Sequence, residues 1–118
     1  MNRFLVIDQD HATAQQLGLR CLEQDIAILI AENVCEGVRM LATTSVSLIV
    51  VDVAGLRLGV HEHAALFDRV APDVPVVVTV RPDVPFETQV TLELAGFRVL
   101  PKPLAPDELL KVLAPAAV

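Results

Sequence analysis

The sequence predicts one α/β domain built on a parallel sheet of five strands. Short apolar runs alternate five times with amphipathic stretches along the 118 residues, a length that suits a single domain. The runs are almost continuous in Val, Ile and Leu, as strands covered on both faces must be. Strict strand–helix alternation also requires crossover connections, which place helices on both faces of the sheet.

The elements follow one another in a regular order. The predicted strands are Phe4–Ile7, Ile26–Ala31, Val46–Val51, Val76–Val80 and Phe97–Leu100. The predicted helices are Ala12–Glu23, Val34–Leu41, Val60–Val70, Pro85–Ala95 and Pro106–Leu113. Asp10 and Asn33 are suitable N-caps for the first two helices, and Gly96 is placed to end the fourth. The last helix begins with Pro106 and two acids, which suit a first turn.

Composition excludes several classes of function. The formal net charge of −6 would repel a phosphate backbone, so nucleic acid is not expected as a direct partner. The longest apolar stretch carries Asp52 and Arg57 and is too short for a membrane span, and the start of the chain lacks the pattern of a signal peptide. Cys21 and Cys35 form no zinc-site pattern and are interpreted as small buried thiols. A cytoplasmic protein is expected.

Polar side chains come at the ends of the predicted strands, where open parallel sheets bind their ligands. Asp8-Gln9-Asp10 follows the first strand and Asp52 the third, while Thr79 lies near the end of the fourth. Pro101-Lys102-Pro103 follows the fifth. Carboxylates crowded at one edge repel each other unless a cation or a bound reagent offsets the repulsion. This grouping indicates that the edge is kept for chemistry.

These residues, in this order of elements, resemble the receiver domains of two-component response regulators. The resemblance covers essentially the whole chain, so residues 1–118 are expected to be a single receiver domain. It depends on Asp8, Asp52, Thr79 and the pair Lys102-Pro103 standing together. It implies a CheY-like, flavodoxin-like sheet of strand order 2-1-3-4-5 with five helices on its two faces.

The resemblance also implies a role for each residue. Asp52 would accept a phosphoryl group from a histidine kinase, a phosphotransfer protein or a small phosphodonor. Lys102 would neutralise a phosphoryl oxygen, and the bond between Lys102 and Pro103 would be cis. Thr79 would hydrogen-bond the acyl phosphate and so couple it to a change of shape. Asp8, Asp52 and the backbone of Ala54 would hold Mg²⁺.

Several positions depart from the family pattern. Gln9 replaces the second of two usual acids, so Mg²⁺ should bind weakly through Gln9, or through Asp10 if that acid is not simply a helix cap. Val80 replaces a small residue and could narrow access to Asp52. Val99 stands at the aromatic switch position, whereas Phe97 is expected to serve the core.

The loop after Asp52 also departs from the pattern. The family usually has a proline four residues after the phosphoacceptor and a glycine eight residues after it. Leu56 and Val60 stand there instead, with Gly59 one place early. The loop is therefore expected to be rebuilt.

Two interpretations of the function stay open, with a third far behind. The chain is a phosphorylation switch, or a pseudo-receiver that docks partners without phosphorylation. The third is a haloacid-dehalogenase-like phosphohydrolase using Asp8 and Asp10, which leaves Asp52 without a role. His61-Glu62-His63 resembles a metal cluster, but helical residues two apart face different ways, so a solvated face is expected.

A receiver signals by protein contact rather than by turnover, so at most self-phosphorylation and self-dephosphorylation are expected. The output surface implied by the resemblance comprises the fourth helix, fifth strand and fifth helix, from about Phe86 to Leu113. A downstream protein would bind there, with no membrane partner expected. A homodimer and a following output domain stay open.

Overall fold

The computed structural model of the chain describes residues 2–56 and 59–113. The strands are β1 (Asn2–Ile7), β2 (Ile26–Ala31), β3 (Leu48–Asp52), β4 (Val76–Val80) and β5 (Arg98–Pro101). The helices are α1 (His11–Leu22), α2 (Val34–Leu41), α3 (Val60–Val70), α4 (Phe86–Leu94) and α5 (Pro106–Leu113). A short 3-10 turn, Val53–Gly55, follows β3. All strand pairs are parallel and their order is β2-β1-β3-β4-β5, which confirms the predicted fold.

The element ends differ from the predictions for local reasons. β3 starts two residues later than predicted and reaches Asp52, because Asp52 still pairs with Thr79 of β4. β5 starts at Arg98 because the Phe97 amide donates back to the Leu92 carbonyl at the end of α4. Gly96 between them has a φ of 100°, a left-handed conformation that glycine adopts without a steric cost. The predicted helix end at Gly96 is therefore confirmed.

Two apolar cores cover the two faces of the sheet. Residues of β1 alternate between them, so that Phe4 and Val6 pack with α1 and α5, and Leu5 and Ile7 pack towards α2, α3 and α4. Phe67 and Phe97 meet edge-to-face in the second core, with ring centroids 6.5 Å apart. The expectation that Phe97 serves the core is confirmed. Each strand therefore presents alternate side chains to different helices.

The two cysteines lie in different environments. Cys21 is buried on α1, as predicted, but Cys35 is exposed, so the prediction of two buried thiols was wrong for Cys35. Cys35 is the second residue of α2, ahead of the turn that packs on the sheet, whereas Cys21 shares its stripe with Ala14 and Leu17. Burial raises the pKa of the Cys21 thiol to about 11.

This difference predicts the order in which the thiols react. Because the thiolate is the nucleophile, a disulfide reagent at neutral pH should modify Cys35 rapidly in the folded protein and reach Cys21 only on unfolding. The rate of thiol release, read by absorbance with and without denaturant, checks this. Cys35→Ser should remove the fast phase. Two equally fast thiols in the folded protein would contradict the burial of Cys21.

Among the described residues, no helix is long and apolar enough to cross a membrane.

Candidate functional site

Strand alternation brings three of the predicted site residues to one face of the sheet. Asp8 follows the same parity as Phe4 and Val6, and Asp52 follows that of Leu48 and Val50. Asp52 pairs in register with Thr79 on the neighbouring strand, and the Thr79 hydroxyl donates to Asp52 Oδ1 over 3.5 Å. β1 and β3 are adjacent at the point where the order of strand connections reverses. The side chains therefore converge at the edge where the sequence placed them.

Lys102 joins this group from the loop after β5. Its ammonium lies 2.9 Å from Asp8 Oδ2 and 3.2 Å from Asp52 Oδ1, so one cation bridges both acids. The Lys102 amide donates to the Val80 carbonyl at 2.9 Å, which ties the loop to the end of β4. The Lys102-Pro103 bond is cis, as the resemblance implied.

The charges of this cluster hold Lys102 in its protonated form. Burial alone lowers the pKa of the Lys102 ammonium, but hydrogen bonds and charge from Asp8 and Asp52 outweigh it, and the pKa lies above its usual value. Two carboxylates and one ammonium leave the cluster one negative charge. Asp8 is almost enclosed, with 8% of its side chain exposed, while Asp52 keeps 21%. Asp52 is thus the carboxylate that a reagent can reach.

Asp10 caps α1, as predicted. Its carboxylate accepts from the Thr13 amide at 3.2 Å and from the Thr13 hydroxyl at 2.7 Å, and these bonds lower the pKa of Asp10. Its own amide donates to Asp8 Oδ1 at 2.9 Å, which fixes the Asp8 side chain. With both of its oxygens engaged by Thr13, Asp10 is not set up as an acid/base. Neither this nor the strand order favours the phosphohydrolase alternative.

Gln9 does not join the acids. It lines a separate groove between α2 and α3, together with Glu32, Asn33 and His63. Gln9 lies two residues beyond the end of β1, on the side of the sheet that Ile7 faces. The neutral amide is therefore absent from the cavity that contains Asp8 and Asp52.

The two other substituted positions also face that opposite side. Val80 is 2% exposed and packs in the core beneath α3 and α4. Because it follows Thr79 directly on β4, its side chain faces the opposite side of the sheet from Thr79. Val99 is partly buried against the same core and lines a groove beside β5. Their side chains do not line the cavity over Asp52.

A cavity of about 70 Å³ extends from the acids to a space beneath α1. A buried water needs roughly 10–15 Å³, so the cavity has room for solvent beside the carboxylates. Thr13, Gln16 and Arg20 line it from α1, and Leu104 closes it from the loop before α5. The sequence reasoning missed these residues, although Thr13, Gln16 and Arg20 recur at the helical spacing that follows the Asp10 cap.

His61-Glu62-His63 forms no metal cluster with the other described residues, and the prediction of a solvated face was wrong for His63. His61 and Glu62 are exposed on α3, as expected. His63 is only 3% exposed, and its ring Nδ1 donates to the Gly59 carbonyl at 3.1 Å. A helix residue two positions from an exposed one can face inward, and His63 shares the inward stripe with Phe67.

The residues at the strand ends fit a hard divalent cation in chemistry, through the carboxylates of Asp8 and Asp52. Ala54 lies in the 3-10 turn directly after Asp52, where a backbone carbonyl is close in sequence to the acid. No group of three His, Cys, Asp or Glu side chains arranged to hold a metal occurs in residues 2–56 and 59–113. A divalent cation would therefore have two acidic ligands and would compete with the Lys102 ammonium for both.

The chain is similar in sequence to curated bacterial regulatory proteins. No family model matches the chain. It is 27% identical over 110 residues to the transcriptional regulatory protein GlrR of Escherichia coli K12, covering 92% of this chain and 24% of that protein. The chain thus spans about a quarter of the length of that curated relative.

The chain also superposes on solved structures of a response regulator and of a receiver domain. A response regulator from Burkholderia pseudomallei, with a phosphorylated aspartic acid, calcium and citrate, superposes with a TM-score of 0.81 at 23% identity, covering 97% of this chain and 67% of that chain. The beryllofluoride-activated NtrC4 receiver domain dimer gives a TM-score of 0.80 at 21% identity, covering 96% and 93%. The chain has the fold of response-regulator receiver domains, and the resemblance predicted from the sequence is confirmed.

Proposed function

We propose that residues 1–118 form one receiver module in which Asp52 accepts a phosphoryl group and thereby changes a protein-binding surface. The observation that carries this proposal is the grouping around Asp52 Oδ1, which lies 3.2 Å from the Lys102 ammonium and 3.5 Å from the Thr79 hydroxyl. A carboxylate nucleophile, a cation and a hydroxyl are the three groups that forming and sensing an acyl phosphate requires. The similarity to a transcriptional regulatory protein, to a response regulator with a phosphorylated aspartic acid and to a beryllofluoride-activated receiver domain supports it.

The proposed phosphoryl transfer uses the Asp52 carboxylate, which keeps 21% of its side chain exposed. A carboxylate oxygen of Asp52 attacks phosphorus, and the bond from phosphorus to the imidazole nitrogen of a phosphohistidine, or to the oxygen of a small phosphodonor, breaks. The leaving group takes the bonding electron pair. Lys102 stays close to Asp52 and offsets the charge that the phosphoryl oxygens bring. The Thr79 hydroxyl donates a hydrogen bond to a phosphoryl oxygen of the new group. This bond draws β4 towards the phosphorylated Asp52.

Mg²⁺ is proposed as a weakly bound cofactor. Asp8 and Asp52, with the Ala54 carbonyl, would hold it, and when bound it offsets the negative charge of the incoming phosphoryl group. Three groups of this chain limit the affinity. Gln9 lies in another groove, Asp10 is committed to the α1 cap, and the Lys102 ammonium already bridges both acids.

The proposed partners are a histidine kinase or phosphotransfer protein at the Asp52 edge and a downstream protein at the surface of α4, β5 and α5. Phe86 and Leu94 are 77% and 81% exposed on α4 and supply apolar contacts there. Val99 takes the aromatic switch position of β5, so the signal would pass through aliphatic packing. A homodimer, as in the activated NtrC4 receiver, is also proposed. The module signals by contact, with no turnover beyond its own phosphorylation and dephosphorylation.

The second candidate is a pseudo-receiver that docks partners without phosphorylation. The bridge from Lys102 to both acids favours it, because the ammonium supplies internally the counter-charge that a metal would bring. The substitution of a small residue by Val80 would favour the pseudo-receiver only through an indirect effect, because the Val80 side chain does not line the cavity over Asp52. Its buried side chain faces the other side of the sheet, so Val80→Ala would separate an effect on the core from one on access.

Beryllofluoride, a mimic of the phosphoryl group, distinguishes the two candidates. We expect amide NMR shifts at Asp52, Thr79 and Lys102 when the reagent is added with Mg²⁺, spreading into β5. Asp52→Asn should abolish them, whereas Asp68→Asn, an exposed acid on α3, should not. A spectrum that stays unmoved at high reagent would contradict acceptance at Asp52 and leave the docking module, whose partner would then have to be found by binding measurements. Shifts that persist in Asp52→Asn would place the acceptor elsewhere.

A further inference from the structure

The outer edge of β2 is unusually apolar for an exposed strand. β2 lies at the end of the sheet and, in the part of the chain that the structure describes, has β1 as its one neighbour in the strand order. Its six residues, Ile-Ala-Ile-Leu-Ile-Ala, contain no charge and no proline. Edge strands of monomeric proteins are usually blunted by lysine, proline or a bulge, because an open edge pairs readily with another strand. β2 has neither of the two residue types that blunt an edge.

The unpaired backbone groups of β2 belong to its isoleucines. The Ala31 carbonyl accepts from the Asp8 amide at 3.0 Å, so the backbone of Ala31 faces β1. Backbone groups alternate along a strand, so those of Ala27 and Leu29 face β1 as well. The amides and carbonyls of Ile26, Ile28 and Ile30 therefore point away from the sheet. Ile28 and Ile30 are partly exposed whereas Ile26 is buried, so an added strand would pair first along Ile28 and Ile30.

The same isoleucine side chains lie beside an apolar stripe of α1. Gln15, Gly18, Leu19 and Leu22 recur at helical spacing and line a groove of about 440 Å³ with Ile26, Ile28 and Ile30. Leu19 and Leu22 are 67% and 66% exposed, among the most exposed large apolar side chains described. A Cβ at Gly18 would meet nothing within 4 Å, so the groove is open at its centre.

We propose that this edge, the outer side of β2 with the Gln15–Leu22 stripe of α1, binds a second copy of the chain by antiparallel pairing of the two β2 strands. A twofold axis normal to the sheet keeps corresponding faces together, so opposed residues must have the same parity. Centred on Ile28, the pairing sets Ile28 against its own copy and Ile26 against Ile30. The Ile28 pair then lies at the centre of the contact as a hydrogen-bonded pair, and the isoleucine side chains of both copies share the α1 face.

Charge favours a copy of this chain in this register. The flanking acids are Asp25 and Glu32, and Ile28-centred pairing sets them opposite Ala31 and Gln24, so no acid opposes an acid. Centring on Leu29 instead would set Glu32 against Ile26 and bury its charge beside an apolar chain. Since the chain carries a net charge of −6, an uncharged edge is a favourable place for two copies to meet.

This contact lies at the β2 edge, away from the proposed α4–β5–α5 output surface at the β5 edge, and it does not depend on phosphorylation of Asp52. Sedimentation velocity across a concentration series should show a dimer of the unmodified protein. Ile28→Lys should weaken its association at least tenfold. Because Ile28 is partly buried, Leu22→Lys, an exposed position on the groove, supplies a variant with little risk to folding. Ala65→Lys, which adds the same charge at an exposed apolar position of α3, is the matched control and should leave association unchanged.

Hydrogen exchange locates the contact. The Ile28 and Ile30 amides should exchange more slowly at concentrations where the dimer forms, while those of Ala27 and Leu29, already paired with β1, should not change. The proposal is overturned by a protein that stays monomeric at millimolar concentration, which would assign the edge to a strand of another protein. A dimer weakened equally by Ala65→Lys and Leu22→Lys, or not weakened by Leu22→Lys, would overturn it as well.

Discussion

Lys102→Met is expected to lower the free energy of unfolding by about 2 kcal/mol at neutral pH. Methionine keeps much of the length and apolar contact of lysine, so the loss reports the ammonium. Without it, Asp8 and Asp52 face each other uncompensated, one of them nearly enclosed. Breaking a fully buried pair costs about 3–5 kcal/mol, and the 26% exposure of Lys102 reduces that figure. Urea denaturation measures the change.

A second substitution identifies the cause. Asp52→Asn removes one of the opposed charges, so the double variant Lys102→Met/Asp52→Asn should recover part of the lost stability. Lys111→Met, an exposed lysine on α5, should change stability by less than about 0.5 kcal/mol. If Lys102→Met is as stable as the original protein, the bridge does not stabilise the fold.

The same stabilisation has a defined pH dependence. The pKa of Lys102 is raised in the folded protein, so its contribution is fully present below the unfolded value of about 10.4. It is lost as pH rises through the higher folded pKa. The difference in stability between the original protein and Lys102→Met should therefore be constant from neutral pH to about 9.5 and shrink above about 10.4. A difference that shrinks near neutral pH would point to another group.

Most of this site could be predicted from sequence because strand periodicity determines it. Once Asp8, Asp52 and Thr79 are placed at strand ends, parallel pairing leaves them one common edge, and alternation gives them one common face. The cap at Asp10 was predictable from a second local pattern, because an acid directly before a helix commonly serves as its N-cap. Local rules were sufficient for these positions.

Other features depend on tertiary contacts that no local pattern reports. Lys102 reaches Asp8 across 94 residues of sequence, and only the fold shows that one ammonium serves both acids. The direction of Gln9 was open, because strand parity becomes weak beyond the last paired residue. His63 and Cys35 were wrongly placed because the inward stripe of a short helix depends on how that helix is rotated against the sheet. Residues 57–58 of the loop predicted to be rebuilt lie outside the described residues.

Gln9→Asp is expected to raise the affinity for Mg²⁺ on the order of tenfold, because affinity at such sites follows the number of charged oxygen ligands. The shorter, charged side chain can turn from the α2–α3 groove towards the cation that Asp8 and Asp52 attract. Titration with Mg²⁺, followed by the amide signals of Asp52 and Thr79, measures the affinity. Without metal the variant should be less stable than the original protein, since a third carboxylate joins two that share one ammonium.

The control for this variant adds the same charge elsewhere. Ala65→Asp on the exposed face of α3 changes the net charge equally but adds no ligand at the strand ends. If both variants bind Mg²⁺ equally well, the gain comes from overall charge and Gln9 has no special position. If only Gln9→Asp gains, and beryllofluoride shifts grow with it, the neutral amide is what weakens the metal site. A third outcome is that Gln9→Asp binds Mg²⁺ more tightly but still shows no beryllofluoride shifts. In that case the failure to accept a phosphoryl group would lie at Asp52 itself and not at the metal site.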